Sequence, residues 1–179
     1  MTPILPGNPE PNIKIQNDER EALRVLLIED SPSDALLIKR ALERSRRHSF
    51  QVRHVTKIAE AESYLDLDPV DVIVLDLALA DSQKDNTLLW MLKQNHPVVV
   101  TTGNEDDATV GEAFRHGAQD YLVKGGFSER EVVRCVLYAL ERTKAQKEVL
   151  LYKYNLERIV QDRLHEILVQ QPPPDNPTE

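Results

Sequence analysis

The chain has 179 residues and carries 22 basic against 30 acidic side chains, a formal net charge of −8. That length implies one domain with extensions, and the acidic balance argues against nucleic acid as a direct partner, because phosphate binding draws on a basic surface. A single cysteine, Cys135, excludes an internal disulfide and a cysteine metal cluster; no apolar run reaches the 18 or so residues of a membrane span, and no secretory pattern opens the chain, so a cytoplasmic protein is expected.

Prolines crowd both ends: Pro3, Pro6, Pro9 and Pro11 at the start, and Pro172, Pro173, Pro174 and Pro177 at the finish. Polar, proline-rich ends are extended and poorly packed, so both read as tails, and PPPDNPTE reads as a natural terminus. Between them, two periodicities alternate. Arg24 to Ile28 (RVLLI) is a strand. Ser31-Pro32 supplies an N-cap followed by proline at the first helical position, and Ala35, Leu36, Ile38, Ala41 and Leu42 give that helix its apolar face. Gln51 to Val55 is a second strand, and Ile58, Ala61, Tyr64 and Leu65 mark the next helix.

Asp71 to Asp81 (DVIVLDLALAD) holds the third strand. Its run Val72–Leu75, rich in β-branched residues, suits a strand buried on both faces of a parallel sheet. Asp76 stands at the carboxyl end of that run, where an acid faces a crevice rather than a core. A short helix around Trp90 follows, built on Leu88, Leu89, Met91 and Leu92. Pro97 to Thr101 (PVVVT) is the fourth strand, with its proline at the first position. A helix from about Glu105 to His116 ends at Gly117; Tyr121 to Val123 is the fifth strand, and Ser128 with Glu131 forms a capping box. Five short strands alternating with helices define a three-layer α/β fold, a doubly wound five-stranded parallel sheet.

No glycine or proline interrupts the chain from Ser128 to Pro172. About forty residues at about 1.5 Å each make one helix near 60 Å long. Only its first fifteen residues, to about Arg142, are needed to cover the sheet. Beyond them Leu156, Ile159, Val160, Leu164, Ile167 and Leu168 continue an apolar stripe, spaced by threes and fours without a strict heptad. Such a stripe asks for a partner, most simply the same helix of a second copy. Cys135 falls on an apolar helix face as a buried small hydrophobe.

In a doubly wound sheet the carboxyl ends of the central strands converge on one crevice. Those ends here are Glu29-Asp30, Asp76, Thr101-Thr102 and Lys124. Three carboxylates together require a cation between them, and oxygen ligands in that number suit a hard divalent ion such as magnesium. Lys124 adds a fixed positive charge and Thr102 a hydroxyl, a combination that stabilises the spread charge of a phosphoryl group in transfer.

VLLIEDSPSD, DVIVLDLALADSQ, VVVTTG and GAQDYLVKG together resemble the receiver domain of two-component response regulators, over about Arg24 to Arg142. The resemblance implies a flavodoxin-like receiver fold, to which the uninterrupted stretch after Ser128 adds an extended C-terminal helix. It makes Asp76 the phosphoacceptor for a histidine kinase or phosphotransfer protein. Mg2+ (or Mn2+) would be held by Glu29, Asp30, Asp76 and the backbone carbonyl of Ala78. Thr102 is the switch hydroxyl, Lys124 the lysine on the phosphoryl group and Tyr121 the aromatic switch, with the signal leaving through the face of the fourth helix, fifth strand and fifth helix. The expected division is a tail at 1–22, the receiver domain at 23–142, a dimerising helix at 143–171 and a proline-rich tail at 172–179. A signalling domain, rather than an enzyme beyond self-phosphorylation and autodephosphorylation, is implied.

The chain departs from the family pattern at Ala80, where proline is usual, at Lys84, where glycine often follows, and at Gly125, where proline is more common. The 26 positions from Asp76 to Thr102 imply a shortened third helix or following loop. His48, His54, His96 and His116 read as surface residues, and Tyr152 and Tyr154 as helix-packing aromatics. His165 in RLHEIL is a lone motif without a kinase catalytic domain after it. Two other readings use the same residues: a phosphorylation-independent scaffold, and the input half of a larger signalling protein.

Overall fold

The structure, a computed structural model, describes residues 22–103 and 107–169. Strands β1 (Leu23–Ile28), β2 (Phe50–Val55), β3 (Val72–Asp76), β4 (Val98–Thr102) and β5 (Asp120–Val123) alternate with helices α1 (Pro32–Glu43), α2 (Ile58–Leu65), α3 (Lys84–Leu92), α4 (Asp107–Arg115) and α5 (Glu129–Val169). All strands run parallel in one sheet of order β2-β1-β3-β4-β5. From β1 the chain steps outward to β2 and then crosses back to β3, so the direction of winding reverses between β1 and β3. Their carboxyl ends therefore open onto the crevice expected of such a sheet.

Alternation along each strand divides the core. Leu26, Ile28, Ile73, Leu75, Val98 and Val100 pack on one face with Ala61, Leu88, Trp90, Met91 and Ala113 from α2, α3 and α4. Val25, Leu27, Val72, Val74 and Val99 pack on the other with Ile38 and Leu42 of α1 and Val132, Cys135, Val136 and Ala139 of α5. Every residue of β3 is buried, as its unbroken apolar run requires once helices cover both faces. Burial also pushes the Cys135 thiol up to about 11. Across the amino-terminal edge, Arg24 grips Asp71: Nε and Nη2 donate to the two carboxylate oxygens at 3.0 and 2.8 Å, and the Arg24 backbone N–H adds a third bond at 2.8 Å.

Local signals acted where they were expected. Ser31 caps α1, accepting from the Asp34 N–H, with Pro32 opening the helix. Ser128 and Glu131 bond reciprocally at the start of α5. Gly117 takes φ +97° beyond α4, a conformation that L side chains resist.

Other expectations are corrected. Leu36, assigned to the apolar face of α1, is 47% exposed, and the buried set is Ala35, Ile38, Ala41 and Leu42. The four histidines expected on the surface are half-buried, and three of them have ring contacts that hold them there. His54 Nε2 lies 2.8 Å from the Glu29 carbonyl oxygen and His116 Nδ1 2.8 Å from that of Glu112; His48 leans on Phe50; burial holds His96 below its ordinary pKa. Tyr152 and Tyr154 project from α5 into solvent. α3 is nine residues long, in keeping with the short Asp76–Thr102 segment. The fourth helix begins at Asp107, and the expected start at Glu105 lies outside the described residues, as do residues 1–21 of the expected first tail and the whole expected tail at 172–179. No helix among the described residues is long and apolar enough to cross a membrane.

Candidate functional site

Glu29 and Asp30 directly follow β1, Asp76 is the last residue of β3, Thr102 the last of β4, and Lys124 the first after β5. Parallel register brings these ends level: Ile28 pairs with Leu75, Asp76 with Thr101, and Thr102 with Val123. The backbone N–H of Lys124 donates to the Thr102 carbonyl at 2.8 Å, which fixes the base of the lysine side chain beside β4.

The side chain then reaches into the crevice. Lys124 Nζ lies 2.8 Å from Asp76 Oδ2 and 2.9 and 2.8 Å from the two oxygens of Glu29, with Asp34 Oδ2 at 3.4 Å. Glu29 is fully buried and Asp76 is 1% exposed. Two carboxylates this deep persist because each is hydrogen-bonded and because one cation lies between them. The Ser31 N–H donates to Glu29 Oε1 at 3.0 Å, and the Ala78 N–H to Asp76 Oδ1 at 3.0 Å. Burial raises the Glu29 pKa above its ordinary value and the Asp76 charge adds to the effect, against the lowering by Lys124. Burial would lower the Lys124 pKa, but the hydrogen bonds and charges of Asp76 and Glu29 outweigh it and hold the ammonium above its ordinary range.

Asp30 is half-buried at the mouth, its Oδ2 accepting from the Ala80 N–H at 2.8 Å. Proline, usual at this position in the resemblance, has no N–H to give, so this departure adds a donor to the site. Glu29, Asp30 and Asp76 each offer one oxygen, all within 4.8 Å of one another. That set of hard oxygen donors fits a magnesium ion, which takes one or two carboxylates and fills its remaining positions with water and phosphate oxygens.

Thr102 is buried at the end of β4, whereas Tyr121 of β5 lies on the outer side, 37% exposed, its ring edge-on to Phe114 of α4 at 6.0 Å. The structure therefore gathers Glu29, Asp30, Asp76 and Lys124 around one point, sets Thr102 at the adjoining strand end, and leaves Tyr121 against α4. Gly125, next to Lys124, has φ +79°, which a proline ring locked near −65° cannot adopt.

One group joins the site that sequence reasoning did not single out. Asp34 lies in the first turn of α1, four residues after Asp30, and the DSPSD spacing was its available signal. Outside the pocket Lys84, noted in the sequence only as a departure from the family pattern, donates to Thr109 Oγ1 at 3.1 Å and pairs with Glu112 at 2.7 Å, tying α3 to α4; nothing in the local sequence marked this long-range pair.

Residues 25–136 match the response regulator receiver domain family. The transcriptional regulatory protein SrrA of Staphylococcus aureus is 33% identical over 123 residues, covering 68% of this chain and 49% of SrrA. The chain thus spans about half the length of the curated relatives it matches. Among solved structures, the signal receiver domain of a protein described as a Luxo repressor from Vibrio parahaemolyticus superposes with a TM-score of 0.61 at 26% identity, over 72% of this chain and 98% of that one. The signal receiver domain of a signal transduction histidine kinase from Syntrophus aciditrophicus gives a TM-score of 0.56 at 27% identity, over 67% and 91% of the two chains. Because the match runs from β1 through the strand-end pocket into the sheet-covering turns of α5, the chain belongs to the response regulator receiver domain family of two-component systems.

Proposed function

We propose that Asp76 accepts a phosphoryl group from the phosphohistidine of a histidine kinase or phosphotransfer protein. The observation that carries this reading is the placement of Asp76: a carboxylate buried to 1% exposure, on a rigid strand end, with Lys124 at 2.8 Å from one oxygen. Asp76 supplies the attacking oxygen, the P–N bond to the donor histidine breaks, and a P–O bond to the carboxylate forms. Lys124 holds the attacking carboxylate before transfer and pairs with the phosphoryl oxygens afterwards. Glu29, Asp30, Asp76 and the Ala78 carbonyl are the groups that would hold magnesium, which when bound neutralises charge on the phosphoryl oxygens. Thr102 is the hydroxyl that meets the new phosphoryl group, and Tyr121, packed on Phe114 of α4, carries the change to the surface of α4, β5 and α5.

The second half of α5 is the dimerising element in this reading. Leu156, Ile159, Val160 and Leu164 are each at least half exposed in the single chain, a run of apolar surface that a second copy of the helix would cover. Ile167 and Leu168 continue the sequence of the stripe; their side chains lie outside the described residues.

Beryllofluoride with magnesium, a phosphoryl mimic, tests the pocket by NMR. Saturating mimic should shift the resonances of Asp76, Thr102 and Tyr121; an unchanged spectrum would refute the reading. A second reading, a scaffold that works by protein contacts without phosphorylation, is favoured by the nine-residue α3 and the short segment it occupies, and predicts that unchanged spectrum.

A further inference from the structure

The pocket around Asp76 is acidic, and so is the chain, yet the flank where the end of α1 meets α5 is the reverse. A cleft of about 580 Å3 there is lined by five arginines and a single carboxylate. Arg44, Arg46 and Arg47 come from the end of α1 and the loop after it; Arg130 and Arg134 come from α5, one turn apart and so on the same face. The carboxylate, Glu129, is taken by Arg44 at 2.8 Å in an exposed ion pair, of the kind that contributes little and is readily exchanged. Val133, Leu137 and Tyr138 add apolar surface, and Tyr138 is 54% exposed.

Concentrated like charge opposes folding unless an anion offsets it. Arg44 is partly offset by Glu129 and Arg134 by the nearby Glu131, yet five guanidinium groups line one concave surface against a single lining carboxylate, an excess of positive charge that attracts an anion even in a chain of net charge −8. The cleft has the volume of a small-molecule site, typically about 300–1,000 Å3. Guanidinium forks match phosphate oxygens two at a time, and an exposed tyrosine ring offers a face on which a planar base can stack. A peptide of acidic residues spreads its charges along several ångströms of backbone, whereas a polyphosphate delivers several within one cleft. A nucleic-acid duplex would have to approach a chain that is acidic overall.

We propose that this cleft binds a nucleoside polyphosphate, its phosphates between the α1-loop and α5 arginines and its base against Leu137 and Tyr138. The site is separate from the Asp76 pocket and does not depend on the phosphoacceptor reading.

Calorimetric titration of the full chain with ATP in EDTA tests it, alongside inorganic pyrophosphate, a glutamate-rich peptide and a short DNA duplex. Saturable one-to-one binding of ATP is expected, with pyrophosphate weaker by about tenfold or more because it has no base to stack. The pair Arg46→Glu and Arg130→Glu should weaken ATP by about tenfold or more, and Arg46→Lys with Arg130→Lys should weaken it measurably while keeping the charge. The lysine pair keeps the test decisive should the charge reversal fail to fold. Absence of saturable binding at millimolar ATP, affinity unchanged in the lysine pair, pyrophosphate as tight as ATP, or tighter binding of the peptide or duplex would each overturn the proposal.

Discussion

Lys124 holds two buried carboxylates at one ammonium, 2.8 Å from Asp76 and within 2.9 Å of both Glu29 oxygens. Removing it leaves two anions facing each other in a low-dielectric pocket. Lys124→Ala should therefore cost about 3 kcal/mol or more, read as a lowered urea midpoint; an unchanged midpoint would mean that water already solvates the pair. Asp71 is instead a carboxylate held by one guanidinium at the opposite edge of the sheet. The Arg24 hydrogen bonds hold its pKa below the ordinary 3.8, so its contribution is present above that value and lost as pH falls through it toward the lower folded value. Asp71→Asn should cost about 1–2 kcal/mol at neutral pH, and the gap to wild type should close below pH 3.8. A gap that persists undiminished in acid would remove the charge from the account. At this scale the sequence was readable where a residue's place on a strand end determined its neighbours, as for Glu29, Asp30, Asp76 and Lys124. It was not readable for Asp34, His54 or Lys84, whose partners lie on other elements and depend on side-chain reach.

At the scale of elements, strand identity followed from apolar runs and helix starts from caps, while the edges moved by a residue or two: β4 runs Val98–Thr102 and β5 begins at Asp120. The misassigned Leu36 shows the limit of a helical period. Apolar residues at 35, 36, 38, 41 and 42 span more of the helix circumference than the sheet can cover, and only contact decides which is left outside. The α3–α4 tether is an element-level device of this chain. Lys84→Ala removes the pair with Glu112 and the bond to Thr109, so amide exchange in α4 should accelerate severalfold while β3 and β4 stay protected. Unchanged exchange in α4 would show that its packing, through Ala113, suffices alone.

Across the whole molecule, a sheet covered on both faces leaves one element unfinished. α5 supplies Val132, Cys135, Val136 and Ala139 to the core in its first turns, then continues to Val169, with Val149, Leu150, Leu151, Leu156, Ile159, Val160 and Leu164 exposed. Its length was plain from the absence of glycine and proline, but its partner could not be read from a stripe that keeps no strict heptad. Light scattering of the full chain should give a dimer, and a chain ending at Arg142 a monomer; a full-length monomer would remove the dimer proposal. The central claim is that the strand-end pocket takes a phosphoryl group on one named carboxylate. Incubation with acetyl phosphate and magnesium, followed by assay for acid-labile protein phosphate, tests it most directly. The account predicts label on the wild type, none on Asp76→Asn and none when EDTA removes the metal; label that survives in Asp76→Asn, or a wild type that never takes any, would contradict it.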